Sequence, residues 1–487
     1  MKAPTISIYI TSFNYEEYLE RSIESALKQS FDSKKYEILV IDDCSTDNSK
    51  KIISKYLKQN KIRAIFNKRN LGLTKSINIA IKASKGEYVI RLDADDMLNK
   101  NALKKFHSQV ANDKSVGIVY SDYYLIDKFD NIIKREKKIN LQKSKMKILD
   151  SAPHGACSLI KKEFLIENGM YDESIDRQDG YDLWYKFLNK NKIKNINFPL
   201  FYYRQHGNSL SKNTRRLLKT RSRIIEKHIS KKNYDINFAL IPVRGREFDE
   251  SCLSVEKIKK KPIIFWSIEA ALKAKSIKKI ILSTGDIDLI RLVKKKFRNK
   301  IYYHLRDKKF LYENTSYLDM IPSVVEKTTK IKPKNVIVLN IECPFRESFY
   351  IDKAIYSQIY YKSDRTVAVQ AENSGQFYKY GKNGLEIISN NKYDSLRAEK
   401  KYVFTECGGI EVLNFKKLKK KKSMETTSHI LMDKKSGFVI RDDFDLKIAQ
   451  KLDSWNYILW FQKIFNYVIC FDYGIVFKIS KTSLYSY

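Results

Sequence analysis

The sequence predicts an α/β protein made of two tandem Rossmann-like α/β/α domains and an aromatic-rich tail. Three observations predict it. Apolar runs of strand length alternate with amphipathic stretches of helical period over the first 100 residues. The same alternation restarts near Tyr234. Only 16 Gly and 8 Pro occur in 487 residues, and 43% of the residues are hydrophobic, which excludes collagenous, disordered and low-complexity classes. A chain of this length divides into two or three domains.

In order, ISIYITSF (6–13) reads as a buried strand and EEYLERSIESALKQS (16–30) as a helix. YEILVIDD (36–43) reads as a second strand, followed by a helix over 48–59 and a strand at IRAIFN. A helix over GLTKSINIAIKAS and a strand EYVIRLDADD complete the first hundred residues. Strands alternating with helices imply a parallel sheet with right-handed crossovers. Residues 201–232 carry ten Lys/Arg against the single acid Glu226, and RRLLKTRSRIIEKHISKK reads as a basic helix. This helix is expected to be a solvated linker, with binding of anionic headgroups as the alternative.

Past Tyr234, INFALIPVRG reads as strand and loop, PIIFWSIEAALKAKS as helix, and IKKIILSTGD as a strand with a polar tip. The expected domains are therefore 1–232 and 233–453, with the tail at 454–487. The tail, SWNYILWFQKIFNYVICFDYGIVFKIS, is broken by Lys463, Asp472 and Lys478, so it reads as a packing or interfacial element.

The chain carries 93 Lys+Arg against 56 Asp+Glu, a formal net charge of +37 spread over both halves. A nucleic-acid domain would concentrate that charge, and no nucleic-acid motif accompanies it. Richness in Lys, Asn and Ile fits an AT-rich genome, while attraction to anionic lipid, glycan or phosphate is the competing reading. The six cysteines (44, 157, 252, 343, 407 and 470) include no CxxC pair, which points away from a zinc ribbon or a disulfide framework and toward a reducing cytoplasm. No 18-residue apolar run appears. The expected location is cytoplasmic, with peripheral contact at the inner face of an anionic plasma membrane.

Two acidic clusters, Asp42-Asp43 and Asp93, Asp95, Asp96, fall at predicted strand ends, where α/β sheets bind ligands. Carboxylates crowded at one edge repel each other unless a cation or donor groups are present. Period-two spacing points Asp93 and Asp95 to one side, suited to a hard cation such as Mg²⁺ or Mn²⁺ and to a ribose hydroxyl.

SFNYEEYLERSIESALKQS, VIDDCSTDNS, NLGLTKSINIAIKASKGEYVIRLDADD and GMYDESIDRQDGYDLWYKF resemble, in order and spacing, the family 2 glycosyltransferases of the GT-A fold over roughly residues 5–210. The resemblance implies an inverting transferase that uses a nucleotide-diphosphate sugar, UDP-type favoured, and Mn²⁺ or Mg²⁺. It matches Thr11 and Asp42 or Asp43 to the nucleoside-holding positions, and Asp93 and Asp95 to the DxD motif. Asp179 is the expected base and Asp182 the runner-up, with Gln178 where the family carries an acid. YYRQHGNSLS (202–211) resembles the segment that closes over the diphosphate, with Arg204 toward phosphate and His206 completing the metal shell. His154 sits where the family has a strand near the acceptor.

Residues 240–452 resemble the cytidylyltransferases that make CMP-activated acid sugars, on ALIPVRGREF, VIVLNIECPFR, YVFTECGGIEVLNFKKL and FVIRDDFDLKIAQKL. Arg244 and Gly245 match the start of that family's phosphate loop and Lys261-Pro262 its end. Phe248 and Leu253 replace its lysines, and Val439 and Arg441 replace its metal-binding aspartates. Asp442 and Asp443 offer a shifted metal site. The expected use of this domain is binding a sugar or nucleotide, or a homodimer contact.

The leading expectation is glycosyl transfer to a hydroxyl of a lipid-linked or polysaccharide acceptor of a bacterial surface glycan. The alternatives are a cytidylyltransferase and a non-catalytic scaffold at the inner membrane surface.

Overall fold

A computed structural model describes residues 4–138, 155–175, 178–187, 192–206, 214–229, 236–307, 310–311, 316–372, 378–381, 384–387, 403–452, 467–470 and 475–478. Two compact units divide it, Met1–Ser230 and Lys231–Tyr487.

Unit 1 begins with β1 (Ile6–Ser12), seven consecutive buried residues, as a strand covered on both faces requires. Helix α1 (Leu19–Leu27) buries Leu19, Ser22, Ile23 and Ala26, one face at helical spacing. There follow β2 (Tyr36–Asp42), α2 (Ser49–Lys58), β3 (Arg63–Phe66), α3 (Leu73–Ala83) and β4 (Tyr88–Asp93). Then come β5 (Met97–Leu98), α4 (Ala102–Val110), β6 (Val116–Ile126), β7 (Ile132–Glu136), β8 (Leu159–Lys161) and α5 (Lys162–Glu167). The unit closes with α6 (Asp179–Phe187), β9 (Lys192–Arg204) and α7 (Thr214–Lys227). The sheet order is β3-β2-β1-β4-β8-β6-β9-β5, with β7 on β6. β3, β2, β1 and β4 run parallel, and antiparallel pairings start at β8. The parallel sheet implied by the alternation is thus its first four strands, and the rest is mixed.

Ile8, Ile10, Val40, Ile90 and Leu92 form the centre of the unit 1 core with Leu103 and Phe106. The basic helix α7 is no solvated linker: Leu218, Ile224 and Ile225 are buried, and Lys227 bonds Asp172 and Ser174.

Unit 2 contains β10 (Asn237–Pro242), the hairpin β11 (Lys257–Ile258) and β12 (Lys261–Pro262), α8 (Ile263–Lys273), β13 (Lys279–Thr284), α9 (Ile287–Phe297) and β14 (Tyr302–Leu305). It continues through α10 (Tyr317–Thr328), β15 (Asn335–Val338), α11 (Ser348–Tyr361), β16 (Arg365–Glu372), the hairpin β17 (Tyr378–Gly381) and β18 (Gly384–Ile387), and β19 (Val403–Asn414). Last are α12 (Phe415–Lys419), β20 (Thr427–Leu431) and α13 (Asp443–Leu452). Its sheet, β14-β13-β10-β15-β19-β16-β20, again has four parallel strands first. The tail reading falls mostly outside the described residues; within them, Tyr467–Cys470 pairs antiparallel with Ile475–Lys478. No helix among the described residues is long and apolar enough to cross a membrane.

Candidate active site at the strand ends of unit 1

Parallel register sets Ser12 beside Asp42 and Thr11 beside Asp93, so the carboxyl ends of β1, β2 and β4 converge. Asp42 is fully buried and accepts from the Ser45 N–H at 3.0 Å through one oxygen. Its other oxygen, Thr11 Oγ1 and Ser12 Oγ are buried without hydrogen-bond partners. Buried polar atoms are nearly always paired, so three orphans together mark a place built to meet a polar ligand. Asp43 is committed elsewhere. It accepts from Asn67 Nδ2 and the Leu71 and Gly72 N–H groups at 2.8–2.9 Å, which fixes the entry to α3. Of the two aspartates, only Asp42 therefore has an unfilled acceptor. Loops after β1 and β2 are laced together through Asn14 with Ser45 and Thr46, and Glu16 with Asp47 and Asn48.

Beyond β4 the chain turns at once, with the Asp96 N–H donating to the Asp93 carbonyl at 3.0 Å. β5 then pairs with β9, setting Met97 opposite Tyr202, and this pairing carries the end of β9 back over the turn. The Arg204 N–H reaches Asp96 at 3.0 Å, and His206 Nε2 lies 2.9 Å from Asp95 Oδ2. His206 packs beside the Tyr18 and Tyr15 rings. Burial, then Asp93, raises the Asp95 carboxyl above its ordinary range despite the His206 hydrogen bond. Asp96 is raised further, by burial and then by Asp95 and Asp93, and its Oδ2 has no partner.

Arg204, expected toward phosphate, has most of its donors engaged within the fold, while its Nη2 is buried without a hydrogen-bond partner. It is 1% exposed; Nε donates to the Asp95 carbonyl at 2.8 Å and Nη1 to the Asp127 carbonyl at 2.9 Å. Nη1 also pairs with Asp130 at 2.5 Å, and the guanidinium lies over the Tyr18 ring. This cation staples the DxD turn to the β6–β7 turn.

Asp179 opens α6, and Gly180 touches Gly155 so closely that a Cβ on Gly155 would stand 2.6 Å from the Gly180 Cα. That approach seats the helix start against the segment leading to β8. Arg91 Nη1 bonds Asp179 Oδ2, while Nε and Nη2 grip Asp93 at 2.6 and 3.1 Å. Asp93 and Asp95 thus have different partners, one a guanidinium and the other an imidazole. Burial works to lower the Arg91 guanidinium, but Asp179 and Asp93 hold it well above its usual value. Sequence reasoning missed Arg91, although a cation within the buried run YVIRLD was its signal.

Asp182, the runner-up base, is turned away into packing. It is 3% exposed, with His228 Nε2 at 2.9 Å and Lys186 Nζ at 3.1 Å. Burial works to raise its pKa, yet His228 and Lys186 outweigh it and hold the carboxyl below the usual range. Gln178, with φ 61°, accepts from Arg221 Nε at 2.8 Å, so α7 braces the start of α6. His154 lies outside the described residues, as do positions 207–213 of the expected closing segment.

In unit 2, Arg244 and Gly245 follow β10, and Gly245 has φ 92°, with a Cβ there colliding with the Asp286 side chain. Arg306 is buried nearby, donating to the Ser283 carbonyl at 2.8 Å, with Nε unpartnered. Burial and then Arg244 pull its guanidinium down to about 10. Lys261 departs from expectation: Nζ sits 3.3 Å from the Trp266 ring centroid and 2.9 Å from Glu269, which consumes its charge locally. Of the two acids offered as a shifted metal site, Asp442 accepts from the Asp445 N–H at 2.8 Å and Asp443 begins α13, while Asp445 accepts from the Arg441 N–H at 3.0 Å, which together cap the helix.

The sequence profile described as Glycosyl transferase family 2 matches residues 7–169. An uncharacterized glycosyltransferase of Methanocaldococcus jannaschii is 31% identical over 210 residues, covering 42% of this chain and 72% of the relative. The hyaluronan synthase of Pasteurella multocida is 27% identical over 211 residues, covering 43% of this chain and only 21% of the synthase. The solved fragment 1–349 of S. aureus TarS aligns with a TM-score of 0.38 at 21% identity, over 46% of this chain and 64% of the fragment. The chain is a glycosyltransferase and belongs to glycosyl transferase family 2.

Proposed function

We propose that unit 1 has the GT-A fold and transfers a sugar, with inversion, from a nucleoside diphosphate donor to a hydroxyl of a bacterial surface glycan. UDP-linked sugars are the first donors to test. The observation that carries this reading is the gathering of Thr11, Ser12 and Asp42, with their orphan oxygens, beside the Asp93–Asp95–His206 turn. Relatives named as hyaluronan and chondroitin synthases support a glycan acceptor.

Asp42 and Thr11 would hold the nucleoside, with Asp43 acting through the loop it fixes. Asp95 and His206 would supply two donors to a divalent cation, although among the described residues no three His, Cys, Asp or Glu side chains gather as a preformed metal cluster. Asp95 and His206 face each other, and the burial and mutual repulsion that raise Asp95 and Asp96 are what a cation would relieve. A mixed carboxylate and imidazole set suits Mn²⁺ better than Mg²⁺, which demands oxygen ligands. When bound, the cation would offset charge on the leaving diphosphate. Asp93 would contact the donor from its Arg91 grip.

Asp179 is the proposed base. Arg91 orients it, and Asp179 Oδ takes the acceptor hydroxyl proton as that oxygen attacks the anomeric carbon and the nucleoside diphosphate leaves. The test is Asp179→Asn, read as turnover beside nucleotide binding: turnover should collapse with binding retained. Equal turnover in the variant would remove Asp179 from the chemistry.

For unit 2 we infer a degenerate relative of the CMP-acid-sugar cytidylyltransferases that takes an anionic sugar or nucleotide at Arg244, Gly245 and Arg306. Supporting it is a buried guanidinium whose strongest charged neighbour is another arginine. CTP-dependent pyrophosphate release that survives Asp95→Ala would instead favour the cytidylyltransferase alternative.

A further inference from the structure

Among the described residues of unit 1, the β6–β7 hairpin carries the most exposed large apolar side chains. Phe129 is 69% exposed, and Ile132 and Ile133 are each 56% exposed. Alternation along a strand would hide one of two adjacent isoleucines. Here the register shifts between Leu125 and Ile126, opposite Lys134 and Ile132, so Ile133 is the extra residue and both side chains reach solvent. The stem is firmly anchored: Arg135 Nη2 bonds Asp122 at 2.6 Å, and the Lys138 N–H bonds the other Asp122 oxygen at 2.8 Å.

The hairpin's acids are taken up by donors, Glu136 by Lys134. Asp127 accepts from the Phe129 and Asn131 N–H groups, and Asp130 is held by Arg21 and Arg204. Lys128 and Lys137 stay exposed, with the Lys128 ammonium 4.7 Å from the Phe129 ring centroid. An aromatic and two isoleucines rimmed by lysines match an anionic bilayer surface, where apolar groups enter the headgroup boundary and ammonium groups remain among phosphates. The net charge of +37 favours the same partner over a neutral one.

We propose that this hairpin tip is the element by which unit 1 docks on an anionic lipid surface. The basic helix α7, for which headgroup binding is the alternative expectation, buries Leu218, Ile224 and Ile225 and braces α6 through Arg221. Arg204 joins the hairpin turn to the Asp95 turn, so docking would hold the donor site at the lipid surface, within reach of a lipid-linked acceptor. That consequence rests on the proposed function, whereas the docking itself is read without any donor.

The experiment is co-sedimentation of the full chain with vesicles of phosphatidylcholine alone or mixed with phosphatidylglycerol, at physiological ionic strength. The wild type should bind the mixed vesicles and not the neutral ones. Phe129→Ser/Ile132→Ser/Ile133→Ser, at unchanged melting temperature, should lose about tenfold or more in affinity. Lys128→Gln/Lys137→Gln should weaken binding and flatten its salt dependence, giving a second reading should the triple variant fold poorly. Unaltered binding by the variants would assign lipid attraction to diffuse charge and overturn the proposal. Wild-type binding that is absent, or indifferent to anionic lipid, would overturn it too. So would self-association that the triple variant abolishes without any lipid binding.

Discussion

Units 1 and 2 each open with four parallel strands in the same spatial order, third-second-first-fourth, yet the strand ends of unit 1 carry acids where those of unit 2 mix Arg244 and Arg306 with Asp286 and Asp307. In unit 1, β1, β2 and β4 deliver Thr11, Asp42 and Asp93, followed by Asp95 and Asp96, to one edge. In unit 2, the loop after β10 and the residue after β14 deliver Arg244 and Arg306, while Asp442 and Asp445 are spent on a helix cap. On the proposed reading, one backbone plan would serve a cation with a diphosphate in unit 1 and an anionic ligand in unit 2. Side chains within two residues of the strand ends decide between them.

The sharpest way to break this contrast is to remove the acid that the chemistry needs. Asp179→Asn should cut turnover by about 10²–10⁴-fold with nucleotide affinity retained, whereas Asp442→Asn should leave turnover unchanged. Loss of turnover in Asp442→Asn would place chemistry in unit 2.

Next in size come the two buried arginines. Arg91→Leu strands Asp93 and Asp179 without their shared cation and should cost about 3–5 kcal/mol in urea unfolding of unit 1. Arg306→Leu removes a charge whose guanidinium is already pulled down toward about 10, and should be neutral or stabilising in unit 2. Equal losses at both positions would mean that Arg306 has a counter-charge after all.

Smaller effects follow from pH. Asp95 and Asp96 have raised carboxyls, so their ionised forms cost stability at neutral pH. That cost is relieved as pH falls through the raised values, before the unfolded chain protonates near 3.8. Unit 1 without divalent ion should therefore gain stability on mild acidification, and Asp96→Asn should remove part of the gain. Asp182 works in the opposite sense. Its carboxyl is held low, so its stabilisation is intact above about 3.8 and is lost only as pH falls below that toward its own value. His228→Gln should raise the folded-state value of Asp182, so that this loss becomes smaller and ends at a higher pH.

The strands and helices of the first hundred residues were legible because period-two and helical patterns are local. β1, β2 and α3 fall within a residue or two of their expected bounds, while α1 is shorter than the apolar pattern suggested. The acidic strand ends were legible for the same reason. What side chains do across the fold was not: Arg91 reaches Asp179 over 88 positions, and His228 reaches Asp182 over 46. Arg204 and Lys261 sit in segments that resemble phosphate-facing ones, yet carbonyls, Asp130, Glu269 and the Trp266 ring hold them. A motif gives residue type and order, and only packing says which hydrogen bonds are already taken.

The central claim is that the acidic strand ends of unit 1 bind a divalent cation together with a nucleoside diphosphate. Its most direct test is a thermal-shift titration in Mn²⁺ with UDP, GDP, dTDP, CMP and CTP, on the wild type and Asp95→Ala. A ligand at a hundred times its Kd stabilises by about 2.7 kcal/mol, roughly 2–4 °C for a unit of this size. The account predicts a Mn²⁺-dependent shift with one nucleoside diphosphate that Asp95→Ala abolishes. A shift with CTP alone, unchanged in Asp95→Ala, would contradict it.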